Sequence, residues 1–284
     1  MNVTNLACVV IWYNPTIDAV KNIQKYSIHF ERIFIIDNSF SNNSNLAEKI
    51  SNSTYLSNNS NLGIAKALNI GCNFALNNNF EWCMTMDQDS SWEHDELTLF
   101  FSEIEKIDNQ EIMSFAPSHT NAIKSQVGYV IDSKKNGSKH NFLFKNKVMT
   151  SGNLINLKTW NLVGKFNELL FIDEVDHEFC YRLNNSGFKI CEFQNIFMIH
   201  TLGNVKRTFL PRPCKHSGVR LYYIFRNILY IKKMFPFYYK IEKYRRYMTF
   251  AIIQKILEFK FKDLKYIHQG KKAFKHNNFG AYNY

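Results

Sequence analysis

Continuous apolar runs and segments with helical spacing alternate along the first hundred residues. The apolar runs are rich in β-branched residues, which is typical of strands buried on both faces; they occupy residues 6–13, 32–39 and 80–90. The segments between them have the apolar spacing of amphipathic helices; they occupy residues 16–29 and 61–76. The order strand, helix, strand, helix, strand predicts an α/β fold with a Rossmann-like, mostly parallel sheet flanked by helices.

The rest of the chain has a less regular pattern. Residues 40–60 are rich in Asn and Ser and are predicted to be an exposed loop. The pattern next predicts a helix at residues 93–107 and a strand at residues 112–118. It then predicts a strand–turn–helix unit at residues 148–164, a helix with an acidic start at residues 171–190 and a final strand at residues 191–200. Residues 119–148 are predicted to be hairpins or loops. The composition then becomes basic and aromatic, which predicts two units, residues 1–204 and 205–284.

Charge is distributed unevenly between these two units. Residues 200–284 contain 19 Lys and Arg against 3 Asp and Glu, whereas residues 1–199 contain 16 against 21. A segregated basic segment favours a polyanionic partner, either nucleic acid or an anionic membrane surface. The Phe, Tyr and Ile interleaved with Lys and Arg in residues 234–267 fit a helix lying at a membrane interface. The same pattern also fits a helix that packs its aromatic face on the first unit.

Cysteine spacing and hydropathy indicate the compartment. The 6 cysteines are far apart and none belongs to a C-x-x-C pair, which predicts buried thiols in a reducing environment. No apolar stretch is long enough to span a bilayer, and the N-terminus does not resemble a secretory leader. We therefore expect a cytoplasmic protein, with any membrane contact being peripheral and on the inner face of the cell membrane.

Two carboxylates, Asp87 and Asp89, end the third run, directly behind its apolar residues 82–86. Ligands bind at the carboxyl ends of strands in such sheets, and Asp37 ends the second run at the same edge. Because an unpaired buried charge is costly, neighbouring carboxylates favour a divalent cation, which in turn neutralises a diphosphate. An acidic loop tip without a ligand is the alternative interpretation.

Seven short motifs occur in a fixed order: VVIWYNP, IIDNS, NLGIAKALNIG, MTMDQDSSW, TSGNLI, FIDEVDHEFCYRL and IHTLG. Together they resemble glycosyltransferase family 2, the inverting sugar transferases of GT-A fold, and within it the bacterial rhamnosyltransferases of surface-polysaccharide synthesis. HSGVRLYYIFRNILYI and HQGKKAFKHNNFG are similar to later segments of these enzymes. The resemblance covers nearly the whole chain and implies a GT-A fold with a basic helical C-terminal extension.

The resemblance implies roles for residues of a nucleotide-sugar site. Asp37 would accept a hydrogen bond from the imide N–H of uracil or thymine, and Asp87 would contact the ribose or the donor sugar. Asp89 would hold Mg²⁺ or Mn²⁺ against both phosphates, and His200 would help to bind that metal. Other residues expected at the nucleotide-sugar are Tyr13, Asn14, Asn61, Gly63, Ala65, Lys66, Gln88, Ser151 and Gly152. Each also has an ordinary structural explanation, as a turn, helix-cap or strand-end residue.

Inversion requires a base on the face opposite the leaving group, within reach of the acceptor hydroxyl. Aligned on Arg182, the base of the family's E-D motif falls on Asp176. Val175 stands where most relatives have the Glu of that motif, so Asp173 remains a second candidate. Three arginines are candidates for contact with the acceptor or its phosphates: Arg182, Arg220 and Arg226.

The resemblance thus implies a metal-dependent, inverting hexosyltransferase that moves L-rhamnose from dTDP-rhamnose to a glycan or a polyprenyl-pyrophosphate-linked glycan. UDP-hexose and UDP-N-acetylhexosamine donors remain alternatives, because Asp37 would suit uracil as well. A sugar nucleotidyltransferase would carry a Gly-rich, basic loop after the first strand, where this chain has WYNPTIDAV. A non-catalytic nucleic-acid binder would leave the acidic strand ends unexplained, so no nucleic-acid partner is expected.

Overall fold

A computed structural model of the chain describes residues 5–121, 141–200, 218–238 and 241–282. The strands in this part of the chain are β1 Leu6–Trp12, β2 Arg32–Asp37, β3 Ser53–Ser57, β4 Trp82–Asp87, β5 Ser90–Ser91, β6 Ile112–Asn121, β7 Phe142–Phe144, β8 Asn153–Asn156 and β9 Lys189–His200. The helices are α1 Ile17–Gln24, α2 Ser44–Ala47, α3 Ile64–Asn77, α4 His94–Glu105, α5 Leu157–Leu162, α6 Val175–Asn185, α7 Val219–Met234, α8 Ile241–Leu257 and α9 Phe261–Lys275.

The strands form one sheet in the order β3-β2-β1-β4-β8-β6-β9-β5, with β7 paired to β9. The first four strands in this order are parallel, whereas β8 runs antiparallel to both β4 and β6. Alternate side chains of β1 enter two apolar clusters, one with α1 and α4 and the other with α3, α5 and α6. Helices therefore cover both faces of the sheet, which confirms the predicted α/β class.

Two predicted elements differ from the structure. β3 lies within the segment predicted to be an exposed loop, where it pairs in parallel with β2 as a half-buried edge strand. In residues 148–164 the small-residue turn precedes the strand instead of following it, because Gly152 (φ 79°) turns the chain and donates its N–H to the Thr85 carbonyl.

Several sequence predictions concern residues 122–140 and 201–217, which lie outside the described residues; they include the loop prediction, the boundary at residue 204 and Cys214. The other five cysteines are buried and form no disulfide, as predicted. Within the described ranges, no helix has the length and apolar character that crossing a bilayer requires.

The segment that precedes α6 has a strained backbone. Phe171, Asp173 and Glu174 all have positive φ angles of 63–64°. Phe171 is the central residue of a γ-turn in which the Ile172 N–H donates to the Leu170 carbonyl over 2.8 Å. Such conformations cost about 1 to 3 kcal/mol each and persist only where surrounding contacts hold them.

Asn227 of α7 supplies contacts that hold this segment. Its fully buried side-chain amide donates to the carbonyls of Leu170, Ile172 and Asp173 over 2.9, 2.7 and 2.9 Å. The strained turn is therefore fixed to α7 by hydrogen bonds that solvent cannot replace.

Arg226, the preceding residue, is also fully buried. Its guanidinium donates to the carbonyls of Leu169, Leu170 and Gly280 over 2.8–3.2 Å. It also lies 5.1–5.5 Å from the ring centroids of three aromatic residues, Tyr222, Tyr223 and Phe279. The predicted contact of Arg226 with an acceptor phosphate does not fit this placement, because the guanidinium is enclosed by protein and bonded to it.

Replacing Asn227 by Leu should lower the free energy of unfolding by about 2 to 4 kcal/mol, because buried carbonyls would lose their donor. Urea unfolding measures this change. Lys233→Leu, at an exposed position of the same helix, is the control and should stay within about 0.5 kcal/mol of the wild type. An N227L protein as stable as the wild type would contradict the assigned role of Asn227.

Candidate active site

The carboxyl ends of β2, β1 and β4 lie side by side at one edge of the sheet. Asp37 is in register with Trp12, and Asp87 is in register with the neighbouring Ile11. Adjacent strands are about 4.8 Å apart, so the backbones of the two aspartates are separated by about 10 Å across β1. One small ligand can therefore reach both strand ends.

Asp37 is fully buried and its carboxylate is bonded within the protein. The carboxylate accepts hydrogen bonds from the Ser39 N–H, the Asn43 amide and the Tyr55 hydroxyl over 2.9, 2.8 and 2.7 Å. These donors use three of about four acceptor positions of the carboxylate. In this arrangement Asp37 organises the loop after β2. Because the side chain is fully buried, an incoming base would reach the carboxylate only if a donor such as Asn43 moved away.

Gln88 joins the end of β4 to the end of β1. Its Oε1 accepts from the Tyr13 N–H over 2.8 Å, and its Nε2 donates to the Tyr13 carbonyl over 3.1 Å. Asn14, with a φ of 50°, donates its N–H to the Ser39 hydroxyl over 2.7 Å. Tyr13 is 45% exposed, in contrast to the buried Asp37. Gln88 thus positions Tyr13, which presents the accessible surface.

The turn that opens α3 is packed against the strained segment. Gly63 has a φ of 83°, and a Cβ at this position would lie 2.7 Å from the Phe171 carbonyl oxygen. The Asn61 side chain accepts from the Gly63 N–H over 3.0 Å, Ala65 is buried and Lys66 is exposed. These small residues were predicted to leave room for a nucleotide. In this structure Phe171 occupies the space beside Gly63.

The turn at residues 150–152 connects Asp87 to Asp176. The Asp87 N–H donates to the Ser151 hydroxyl over 3.0 Å, and the Thr150 N–H donates to Asp176 Oδ2 over 3.1 Å. Asp176 lies in the first turn of α6, where the helix dipole stabilises a carboxylate. Ser151 and Gly152 were predicted to contact the nucleotide-sugar. In the structure they belong to the turn that connects Asp87 with Asp176.

Two further carboxylates, those of Asp89 and Asp176, act electrostatically on Asp87, and we call these three residues the acidic cluster. Burial, and then the charges of Asp89 and Asp176, raise the pKa of Asp87 to about 7, with the Arg220 guanidinium opposing the shift. A carboxyl group that retains a proton near neutral pH has lost hydration first, and it has negative charge near it as well. This cluster therefore favours a bound cation.

Asp173 and Asp176 have different partners. The Arg220 Nη2 lies 3.0 Å from Asp173 Oδ1, and its Nε donates to both carboxylate oxygens over 3.2 and 3.3 Å. Burial raises the pKa of Asp173 despite this ion pair. Asp176 is held by backbone N–H groups, from Thr150 and from His177. The Arg220 guanidinium is half exposed and reaches the acidic cluster from the N-terminus of α7, a contact that the sequence did not predict.

His177 is a further ionisable group beside the cluster. Its Nδ1 lies 2.9 Å from Glu174 Oε2. Burial by itself would lower the pKa of His177, but the charge of Asp176 and the hydrogen bond to Glu174 outweigh burial and raise it. Both residues belong to the motif FIDEVDHEFCYRL, but no role was predicted for either, because a local ion pair of this kind has no distinctive spacing.

Arg182 braces α6. Its Nε and Nη2 donate to the Glu178 carboxylate over 2.9 and 2.8 Å, and its other contacts are with the carbonyls of Val163 and Lys165. These contacts give Arg182 a structural function and do not fit its predicted contact with an acceptor.

The side chains at the end of β4 are candidate ligands for a divalent cation. Among the residues described, no three carboxylate, imidazole or thiol side chains are grouped so that they could enclose a metal ion. Mg²⁺ commonly binds through one or two carboxylates together with substrate phosphates, and Asp87 and Asp89 supply such oxygens. His200 is the last residue of β9, opposite Ser90 in register, and the structure does not describe its side chain. The residues present therefore fit a cation that arrives with a diphosphate.

The family model described as Glycosyl transferase family 2 matches residues 14–150, which include the strand-end aspartates and the turn at Thr150. The chain is 30% identical over 241 residues to the dTDP-rhamnosyl transferase RfbF of Shigella flexneri, covering 79% of this chain and 78% of that protein. The chain therefore belongs to glycosyltransferase family 2 and is a glycosyltransferase of GT-A fold. The predicted family and its similarity to rhamnosyltransferases are confirmed.

Two solved structures share the fold. GalNAc-T7 with UDP, GalNAc and Mn²⁺ superposes with a TM-score of 0.57 at 14% identity, covering 82% of this chain and 48% of GalNAc-T7. Residues 1–349 of TarS from S. aureus, in complex with UDP-GlcNAc, give 0.52 at 12% identity, covering 81% of this chain and 67% of that one. The chain thus spans about half the length of GalNAc-T7. At these identities the likeness concerns the fold alone.

Proposed function

We propose that this glycosyltransferase moves L-rhamnose from dTDP-rhamnose, with inversion, to a glycan or a polyprenyl-pyrophosphate-linked glycan during bacterial surface-polysaccharide synthesis. The similarity to a dTDP-rhamnosyl transferase over most of both chains supports the donor. The observation that carries the chemistry is the placement of Asp87 at the end of β4, with Asp176 connected to it through the turn at residues 150–152.

The donor would lie across the ends of β1, β2 and β4. Its base would stack against the exposed Tyr13 ring, which Gln88 holds in place. Asp37 would accept the imide N–H once Asn43 has moved from the carboxylate, and Asp87 would bind a hydroxyl of the ribose or the sugar. The diphosphate would then lie beside Asp89.

Asp89, with help from His200, would hold Mg²⁺ or Mn²⁺, and the ion would stabilise the negative charge that develops on the departing diphosphate. Arg220 adds a positive charge on the same side of the cluster, since its guanidinium already influences Asp87. We propose that it contacts a phosphate of the donor while it keeps its ion pair with Asp173.

Asp176 would act as the base. The acceptor hydroxyl gives its proton to an Asp176 carboxylate oxygen as its oxygen bonds to the anomeric carbon, and the bond from that carbon to the diphosphate oxygen breaks. The Thr150 and His177 N–H groups orient the carboxylate. Asp173 suits this task less well, because Arg220 contacts both of its oxygens.

The affinity for the cation should rise with pH. A divalent ion beside Asp87 favours its ionised form, so binding releases the proton that Asp87 retains below its pKa of about 7. The affinity for Mn²⁺ should therefore increase about tenfold per pH unit below that value and level off above it. Mn²⁺ titrations at several pH values measure the slope, in the presence of dTDP-rhamnose, whose two phosphates are esterified and do not titrate near neutral pH. Asp87→Asn should abolish it, and a wild-type affinity that stays constant with pH would contradict the assignment.

The donor is tested by thermal stabilisation. A ligand that binds only the native state raises its melting temperature. Comparison of dTDP-rhamnose, UDP-glucose and UDP-N-acetylglucosamine, each with and without Mn²⁺, should give the largest metal-dependent shift with dTDP-rhamnose. A larger shift with either UDP-sugar would favour a UDP-hexose or UDP-N-acetylhexosamine donor, since uracil carries the same imide N–H as thymine.

A further inference from the structure

The connection between α8 and α9 exposes several large apolar side chains. Phe259 is 82% exposed, Leu257 58% and Phe261 56%, and Ile253 and Ile256 on the last turns of α8 are 49% and 44% exposed. We call these five residues the apolar corner. They lie on the surface of the helical C-terminal part, outside the buried clusters of the fold.

Phe259 has a strained backbone conformation and an exposed aromatic ring, and neither feature stabilises the fold. Its φ of 55° is in the left-handed region, which is strained for a bulky residue. Its ring meets that of Phe261 at a centroid distance of 6.3 Å, and both rings remain largely exposed to solvent. An asparagine or a glycine would suit this turn better, so the rings indicate a partner that covers them.

Positive charge surrounds the apolar corner. Lys260, Lys262 and Lys265 are exposed beside it. The acidic neighbours are paired within the chain: Glu258 with Lys260 over 2.9 Å, and Asp263 with the buried Lys255 over 3.3 Å. This arrangement is complementary to an anionic bilayer. The apolar rings can enter the boundary between headgroups and acyl chains, and the ammonium groups beside them can contact the anionic headgroups. Nucleic acid would not gain from the aliphatic residues, and a second copy would bring like charges together.

The apolar corner is connected to the catalytic segment through α7. Asp263, two residues after Phe261, accepts the Gly218 N–H at the start of α7 over 3.0 Å. Arg220, two residues further, forms the ion pair with Asp173. A short chain of contacts therefore leads from the exposed rings to the acidic cluster.

We propose that the apolar corner docks this enzyme on an anionic phospholipid membrane, with Phe259 and Phe261 inserted and Lys262 and Lys265 against the lipid phosphates. Docking at this corner brings the side of the protein that carries Arg220 toward the bilayer. An acceptor attached to a lipid would then meet the active site from the membrane surface; that consequence, unlike the docking itself, rests on the proposed function.

Vesicle co-sedimentation of the full chain tests the docking. We expect binding to vesicles of phosphatidylcholine mixed with phosphatidylglycerol, weaker binding at high salt, and little binding to phosphatidylcholine alone. Phe259→Ser with Phe261→Ser should weaken binding at least about tenfold, since two rings lose their buried surface. The matched control, Ile28→Ser with Leu162→Ser, removes side chains that are 72% and 75% exposed on the catalytic part and should bind like the wild type.

Lys262→Glu with Lys265→Glu should also weaken binding to the anionic vesicles at least about tenfold. The donor-dependent thermal shift should stay unchanged in all three double variants, which separates this proposal from that of the donor. Equal binding to neutral and anionic vesicles, or undiminished binding by the phenylalanine double variant, would overturn the docking. A concentration-dependent dimer that the same substitutions abolish would also overturn it and assign the corner to a second copy of the chain.

Discussion

Asp176→Asn should lower kcat by about 10²- to 10⁴-fold, the usual contribution of a positioned base, while the donor still binds with nearly wild-type affinity. Asn keeps the shape of the side chain and a carbonyl oxygen that can accept the Thr150 N–H, so the turn at residues 150–152 should stay in place. Steady-state transfer assays, together with donor titrations, separate the two effects.

Asp173→Asn is the matched control for Asp176. Asp173 lies three residues before Asp176, in the strained segment that precedes α6, and its replacement removes the charge that pairs with Arg220. Its kcat should fall by less than about tenfold, as expected for a group that positions but does not accept the proton. A severe loss in D173N combined with an active D176N would move the base to Asp173.

Asp89→Ala should abolish metal-dependent donor binding and lower kcat/KM by at least about 100-fold, because the cation would lose a carboxylate ligand next to the diphosphate. Calorimetric titration of dTDP with and without Mn²⁺ measures the coupling directly. Asp95→Asn, in the exposed first turn of α4, removes a nearby carboxylate and should leave both quantities unchanged. Wild-type Mn²⁺ coupling in D89A would show that this residue does not bind the ion.

The acidic strand ends were predictable because their origin is local. A buried parallel strand has a continuous apolar run, and the residues that end it lie at the ligand-binding edge, so Asp37 and Asp87 followed from the pattern. Asp176 required a comparison with a family motif, since a carboxylate in the first turn of a helix is commonplace.

Contacts between distant segments were not predictable from the pattern. Tyr55 bonds to Asp37 from a strand whose Ser and Thr residues resemble a loop. Asn227 meets carbonyls about 55 residues earlier in the chain, and Gly63 fits against Phe171. The tertiary fold determines these hydrogen-bond and packing partners. For this reason, residues that were predicted to contact a ligand instead contact other parts of the protein.

The central claim is that the carboxylates at this edge of the sheet bind a cation-bridged nucleotide diphosphate and, through Asp176, face the acceptor. A crystal structure of the full chain with dTDP and Mn²⁺ tests it most directly. We predict Mn²⁺ within about 2.0–2.3 Å of an Asp89 oxygen and of both phosphates, with thymine against Tyr13 and Asp176 facing the vacant sugar position. A nucleotide bound away from β1 and β4, or a diphosphate and ion without contact to Asp89, would contradict the account.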